Sequence, residues 1–509
     1  MKNRFESVLL YLLPSIGAII WVITFFGVLM SGPRMVNADG DLGRHITIGS
    51  YIIDHRLIPL RDIFSHTMTG EPLTPHEWLA QVLFALMHRA LGINGAVLLA
   101  ALVIATAFWL VYRQSRAHSA SLLAAAFVST LGLLAASIHW LSRPHIFTFL
   151  LLAMWMGVLY RIKNGDTHRW WLLPLLMLAW VNLHGAFIAG FVTWVLCGIG
   201  ILWDAHFANA AQRETPPAGF WKSYLLGGGV SLLATLFNPK GPGIWGTSVG
   251  YVSNRYLVDH TVEYQSPNFH DPITWLLLLF IALLIVVLAF RKRHTTSFQL
   301  FPAVAWLVMA LYSARNIPLF IIVSAPLLTA GLVDFLAGLE LPEKLRHRVK
   351  KFDTGLLNVD MRLKGILLPV LSVLIVVIGF NAGMTFTQDG KPNAYDPAEF
   401  PVEAVNWLEQ NPQPGETFNY FTWGGYLLYR QWPQRLVFID GQTDFYGETL
   451  AREYQKFMNI EDGWESVLDD HYVDWVILPT KEHAARALEQ QDDWQVVYRD
   501  DTAIIIRRK

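Results

Sequence analysis

The sequence predicts an α-helical polytopic membrane protein of about eleven transmembrane helices that ends in an extracytoplasmic α/β domain. Three observations predict it. Only 16% of the 509 residues are charged and mean hydropathy is +0.35, whereas a soluble chain carries nearer a quarter charged residues. Apolar runs long enough to cross a bilayer recur as far as residue 384. Basic residues gather in alternate connections between those runs.

The first apolar run, Leu9 to Met30, is too long for a signal peptide and lacks a small-residue cleavage site, so it reads as a first span kinked at Pro14. Further spans fall at roughly 79–112 (a short interfacial helix plus one span), 120–138, 146–160, 170–183, 186–203, 223–238, 273–290, 299–314, 317–337 and 365–382. With the amino terminus in the cytoplasm, the inner segments hold Lys2 and Arg4; Arg113 and Arg116; Arg161, Lys163 and Arg169; Arg213 and Lys222; Arg291, Lys292 and Arg293; then Lys344, Arg346, Arg348, Lys350, Lys351, Arg362 and Lys364. The short outer turns hold only Arg143 and Arg315. This pattern predicts a multi-pass protein of the plasma (inner) membrane, with residues 1–384 in the bilayer and 385–509 outside it.

In 385–509 the composition shifts towards Asp, Glu and Gln. Arg435–Asp440, Asp474–Leu478, Gln495–Tyr498 and Ala503–Ile506 read as strands, and Glu403–Gln410, Thr449–Met458 and Lys481–Gln490 as helices. Trp423-Gly424-Gly425-Tyr426 is not read as a phosphate loop, because no strand–loop–helix context fits it. The net charge of −1 leaves no basic field for nucleic acid. The one cysteine, Cys197, excludes an internal disulfide.

The topology gathers polar residues on the outer side, where ionisable groups at helix ends are costly unless wet or paired. The first outer loop (31–78) holds Asp39, Asp41, Arg44, His45, Asp62, His66, His76 and Glu77. Asp39-Gly40-Asp41 is either a solvated turn or a pair of carboxylates in which one acts as base and the other orients it or binds a metal. His76-Glu77-Trp78 is either an interfacial helix start or a contact for a phosphate, sugar or metal. Arg143 favours phosphate, while His145 and His184 could be ligands, phosphate contacts or satisfied core groups; His139 reads as core. Asn182 accompanies His184 in the third turn. The fourth outer loop (238–272) holds Lys240, Glu263 and Tyr264, with Trp245, Tyr251 and Tyr256 nearby. Arg315-Asn316 breaks an apolar stretch as a short loop or a clamp on a lipid phosphate. Asp440-Gly441-Gln442-Thr443-Asp444 reads first as a strand followed by a turn.

These motifs resemble the GT-C superfamily of integral-membrane glycosyltransferases. Asp39-Gly40-Asp41 sits where that family has its first-loop acids, Pro75-His76-Glu77-Trp78-Leu79 where protein-mannosyltransferase-like members carry a His/Lys-Pro-Pro run, and Ser142-Arg143-Pro144 resembles its Arg-Pro element. The Pro-Pro element is Pro-His-Glu here, and the last outer loop lacks the longer signatures of oligosaccharyltransferases. The resemblance implies an inverting transfer of sugar from a polyprenyl-phosphate donor to a glycan, lipid or protein acceptor at the outer membrane face. It makes Asp41 or Asp39 the general base, sets Arg315 with Arg143 or Lys240 on the donor phosphate, and uses the fourth loop as a cover. A divalent ion, Mg or Mn, is a cofactor candidate, with Asp39, Asp41, Glu77 and His184 as candidate ligands. Rival classes are a lipid or glycan flippase, which predicts inverted repeats and midplane charges, a membrane hydrolase using the same acids, and a non-catalytic assembly protein.

Overall fold

The computed structural model describes residues 10–207, 215–290, 296–340 and 342–509, with backbone alone at 251, 252 and 262. Lys2, Arg4, Arg213, Arg291, Lys292, Arg293 and the Tyr251 side chain lie outside the described residues. Every expected span falls on a helix, but among the described residues seven are long and apolar enough to cross a membrane: Leu10–Met30, Ile93–Ser119, Leu122–His139, His145–Lys163, Gly185–Phe207, Pro272–Phe290 and Ala314–Gly338. The other four, Leu172–Leu183, Phe220–Ala234, Ser297–Tyr312 and Leu367–Asn381, are shorter. At 1.5 Å per residue they rise only roughly 18–24 Å. Their apolar runs continue into turns, which is why the pattern overestimates their length. Ile93–Ser119, His145–Lys163 and Ala314–Gly338 form the centre, with 72%, 78% and 67% of their apolar windows buried, whereas Pro272–Phe290 is 28% buried and lies outermost.

One end of the bundle is basic and is tied together by two aspartates on the helix Glu343–Asp360. Pro14 breaks the first helix rather than kinking it, and regular helix starts at Ile16, whose N–H donates to Asp360 Oδ1 at 2.5 Å. Asp360 also pairs with Arg116 at 2.5 Å. Asp353 Oδ1 accepts from Leu122 N and Leu123 N at 3.0 and 2.9 Å and so caps the helix Leu122–Ala136. A helix start has four N–H groups without partners in the helix, so each cap supplies an acceptor where the bilayer supplies none. On another connection Asp204 bonds Ser297 N and Oγ at 2.8 and 2.6 Å.

At the opposite end the first connection begins with two helices, Gly32–Asn37 and Asp41–His55, and only its second half is a loop. The carboxyl-terminal part contains a four-stranded sheet of β1 (Glu416–Asn419), β2 (Val473–Pro479), β3 (Trp494–Arg499) and β4 (Ala503–Arg508) in the order β1-β2-β4-β3. β1 and β2 are parallel; β2/β4 and β3/β4 are antiparallel. Val476 and Ile506 face one core, with Phe418 and Phe457, while Trp475, Ile477 and Ile505 face another, with Leu408 and Tyr426. Burial on both faces explains the uninterrupted apolar runs of β2 and β4.

Arg435–Asp440 is not a strand of this sheet. Its backbone is used elsewhere: Val437 bridges Ser65, and Phe438 N and Ile439 N donate to Asn419 Oδ1. A strand–loop–helix context does exist before Trp423-Gly424-Gly425-Tyr426, since β1 leads through a short turn into the helix Gly424–Gln431. Its glycines nevertheless serve packing. A Cβ on Gly425 would lie 2.2 Å from the Gly40 carbonyl oxygen, and one on Gly43 would lie 2.4 Å from that of Gly425. Helices Asp41–His55 and Gly424–Gln431 thus touch backbone to backbone, and the second core continues into the membrane bundle through Leu42, Ile46 and Trp423.

Asp353→Ala is expected to lose an N-cap and about 1 kcal/mol of stability. Asp360→Ala, which also strands Arg116, is expected to lose about 3 kcal/mol or more. Melting temperatures in nanodiscs give the order; equal shifts for both variants would contradict these roles.

Candidate active site

The acids of the first connection converge on one guanidinium. Gly40 caps the helix that starts at Asp41, and Asp39 Oδ1 accepts from Asp41 N at 3.0 Å, an Asx turn that sets both carboxylates side by side. Arg143 reaches them from the turn before the helix His145–Lys163: Nη1 lies 3.0 Å from Asp39 Oδ2 and Nη2 lies 2.5 Å from Asp41 Oδ2. Glu263, from the fourth connection, bonds the same Nη1. Three carboxylates from two connections share one cation.

Their environments differ. Burial pushes the Asp39 carboxyl up to about 6, against the pull of Arg143 and helped by Asp41 and Glu263. Burial also acts to raise Glu263, but Arg143, His139 and Arg315 outweigh it and hold this carboxyl at about 2. Asp39 is therefore the acid of the set poised to exchange a proton near neutral pH, while Glu263 stays ionised.

Beside this set lies a second one around Glu77. His184 Nε2 is 3.7 Å from Glu77 Oε1, His45 Nδ1 is 3.9 Å from Oε2, and His76 Nε2 is 4.0 Å from Oε1. Thr148 accepts from Trp180 Nε1 at 2.9 Å and contacts His184 Nδ1 at 2.8 Å. The contact with Thr148 orients the ring with Nε2 towards Glu77. Burial raises the Glu77 carboxyl, partly offset by His76 and Arg44. Burial drives His45 well below its ordinary value, helped by Arg44 and Arg143, so this ring is neutral.

The carboxyl-terminal part completes the cluster. Arg44 bonds Gln442 and lies 3.6 Å from Asp440, whose carboxyl burial pushes up to about 6 against Arg44. Asp444 lies 3.9 Å from His76. A Cβ on Gly441 would stand 1.7 Å from Asp41 Oδ1, so only glycine fits that wall. The run Asp440–Asp444, expected as a strand and turn, bends at Gly441 into the helix Thr443–Met458 and closes the site. Its double-acid pattern and Gly441 were visible in the sequence; their approach to Asp41 was not.

The other named residues are placed as follows. Asn182 is a brace: it accepts from Trp78 Nε1 at 2.7 Å and donates to the Phe237 carbonyl at 2.9 Å. His145 is buried against the His139 carbonyl at 3.1 Å. Arg315 lies over the Tyr264 ring at 4.4 Å and makes no ion pair among the described residues. Arg143 faces carboxylates, so its cation is already engaged and Arg315 is the better placed of the two for a phosphate. Asn316, bonded to the Met309 carbonyl, and the exposed Lys240 stay outside the cluster. Asp62 folds its own turn onto Ser65, and His66 docks on the Thr417 carbonyl. Trp245 packs on Phe187, and Tyr256 lies under Arg452. The four candidate metal ligands do not meet as one set. Asp39 and Asp41 turn to Arg143, Glu77 and His184 turn to each other, and among the described residues no three His, Cys, Asp or Glu side chains form a metal-holding group.

Arg143→Gln strands three partly buried carboxylates and is expected to lose about 3–5 kcal/mol, whereas Asp39→Asn leaves Asp41 and Glu263 on the guanidinium and is tolerated. Because Asp39 and Asp440 rise from 3.8 to about 6 on folding, their contribution to stability is full below 3.8 and is lost as pH rises through about 6. Melting temperature against pH should therefore fall across that window in the wild type and fall less in Asp39→Asn; an unchanged slope contradicts the assignment.

No protein-family model matches the chain, and no curated protein matches it in sequence. Among solved structures, the chain is similar to ArnT from Cupriavidus metallidurans, seen apo and bound to undecaprenyl phosphate, with a TM-score of 0.49 at 14% and 16% identity over 96% of this chain and 97% of that one. It is also similar to the apo oligosaccharyltransferase of Archaeoglobus fulgidus, with a TM-score of 0.55 at 13% identity over 91% of this chain and 69% of that one. This second likeness shows that the chain shares the fold of that oligosaccharyltransferase, in keeping with the GT-C resemblance of its sequence motifs.

Proposed function

We propose that the chain is a glycosyltransferase that moves a sugar from a polyprenyl-phosphate donor to an acceptor hydroxyl, with inversion, at the outer membrane face. The observation that carries this reading is the partly buried pair Asp39 and Asp41, fixed by one arginine at the mouth of a bundle with the GT-C fold. Of the two acids, Asp39 has the carboxyl raised to about 6, where a base is largely ionised at neutral pH yet still accepts a proton well. Asp39 takes the acceptor proton as the acceptor oxygen attacks the anomeric carbon. The bond from that carbon to the phosphate oxygen breaks, and the lipid phosphate leaves with the electron pair. Asp41 and Glu263 hold Arg143, and Arg143 holds Asp39. Arg315 receives the charge that develops on the departing phosphate. No step is routed through a metal, because the donor atoms that would hold one are engaged as described.

The test uses the full chain in lipid nanodiscs with a panel of polyprenyl-phosphate sugars and hydroxyl acceptors, and reads donor consumption and product. Asp39→Asn is expected to lower turnover by about 10²–10⁴-fold, and the wild-type rate is expected to fall about tenfold per pH unit below about 6. Full activity in an Asp39→Asn, Asp41→Asn double variant would sink the reading, and donor cleavage to water alone would make the protein a hydrolase.

Gly441→Ala tests the wall contributed by the carboxyl-terminal part. The added methyl displaces the Asp41 carboxylate, and a misplacement of about 1 Å costs about a hundredfold in rate. Turnover should drop by that order with the melting temperature little changed; wild-type turnover would show that Asp41 does not depend on this wall.

A further inference from the structure

A second site lies at the basic end, away from the acids. A cavity of about 590 Å³ opens between the foot of the first helix, the end of Ile93–Ser119 and the turn before Leu367–Asn381. Arg113, Arg116 and Lys364 line it, with Asp360 as the acidic residue of the lining. Asp360 is already bonded to Arg116 and to Ile16 N. Arg113 lies over the Trp109 ring at 4.6 Å, and neither it nor Lys364 pairs with a carboxylate among the described residues. The Tyr112 hydroxyl, buried in the same lining, faces Arg116 and Asp360. Two cations without acidic partners, in a cavity whose one carboxylate is already engaged, form an anion-binding set.

The cavity is continuous with an apolar groove. A second space of about 310 Å³ is lined by Trp21, Pro369, Val370, Val373 and Leu374, and it shares Trp21, Pro369 and Val370 with the first. The groove runs along the helix Leu367–Asn381, whose Leu371, Leu374, Ile375 and Ile378 are exposed apolar side chains of a membrane span. A basic chamber at the membrane surface leading into an apolar groove has the polarity of one amphiphile lying head to tail.

We propose that this cavity binds the phosphate headgroup of an anionic membrane phospholipid, through Arg113 and Lys364, with an acyl chain in the groove beside Trp21 and Leu374. The site lies at the other end of the first helix from Asp39 and does not depend on the transferase reading.

The test is native mass spectrometry of the full chain delipidated in detergent and then exposed to mixed micelles of phosphatidylglycerol and phosphatidylcholine. Phosphatidylglycerol should be retained and phosphatidylcholine not, and an Arg113→Gln, Lys364→Gln double variant should weaken retention by about thirtyfold. Leu374→Trp fills the groove at a half-exposed position and should weaken lipid retention in a protein whose melting temperature is unchanged. Dodecyl phosphate should displace the lipid and inorganic phosphate should not. Equal retention of both lipids, retention unaffected by either variant, or displacement by inorganic phosphate as effective as by dodecyl phosphate would each overturn the proposal.

Discussion

One guanidinium holds the site end of this molecule together. Arg143 is the only group that touches Asp39, Asp41 and Glu263 among the described ion pairs, and those acids belong to the first and fourth connections. Three carboxylates in a low-dielectric setting repel one another, and the arrangement persists only because the cation sits among them. The same cation sets the order in which the acids titrate. It holds Glu263 low, while burial leaves Asp39 high, so one ion-pair cluster yields two kinds of carboxylate.

Around that centre the remaining polar groups have structural partners. His184 by Glu77 is steered by Thr148 and Trp180, Asn182 braces Trp78, and Arg44 is held by Asp440 and Gln442. The chain therefore builds the site from the membrane bundle and the carboxyl-terminal part jointly. The glycines at 40, 43 and 425 allow the two to meet backbone to backbone, which fixes Gly441 against Asp41 more closely than side-chain packing would allow.

Much of the architecture was legible in the sequence because its signals are local. Each long apolar run became a helix, and the short uninterrupted apolar runs of β2 and β4 became strands. The lengths of Leu172–Leu183 and Phe220–Ala234 were not legible, since hydropathy does not register where a helix stops. The false strand at 435–440 has the composition of a strand, but its hydrogen bonds go to Phe64–His66 and to the Asn419 side chain, partners hundreds of residues away or across a turn. At the site, Asp39, Asp41, Glu77, Arg143, His184 and Glu263 were visible as polar residues at helix ends on one side. Their division into an arginine-centred set and a glutamate-centred set was not, because it depends on side-chain directions that spacing does not encode. Asp440 and Asp444 looked like turn residues for the same reason.

The two aspartates of the helix Glu343–Asp360 bear on how the chain is made. Ile16 N finds its acceptor 344 residues later, and Leu122 N finds its acceptor 231 residues later. Chains emerge from synthesis amino end first, so the first and third long helices enter the bilayer with Ser15 and Ser121 as their own caps but with the N–H groups of Ile16, Leu122 and Leu123 still lacking their acceptors. Only when residues 353 and 360 arrive are those helix starts locked. The late segment acts as a clasp on early ones, so the starts of the first and third long helices are completed late rather than in strict order along the chain.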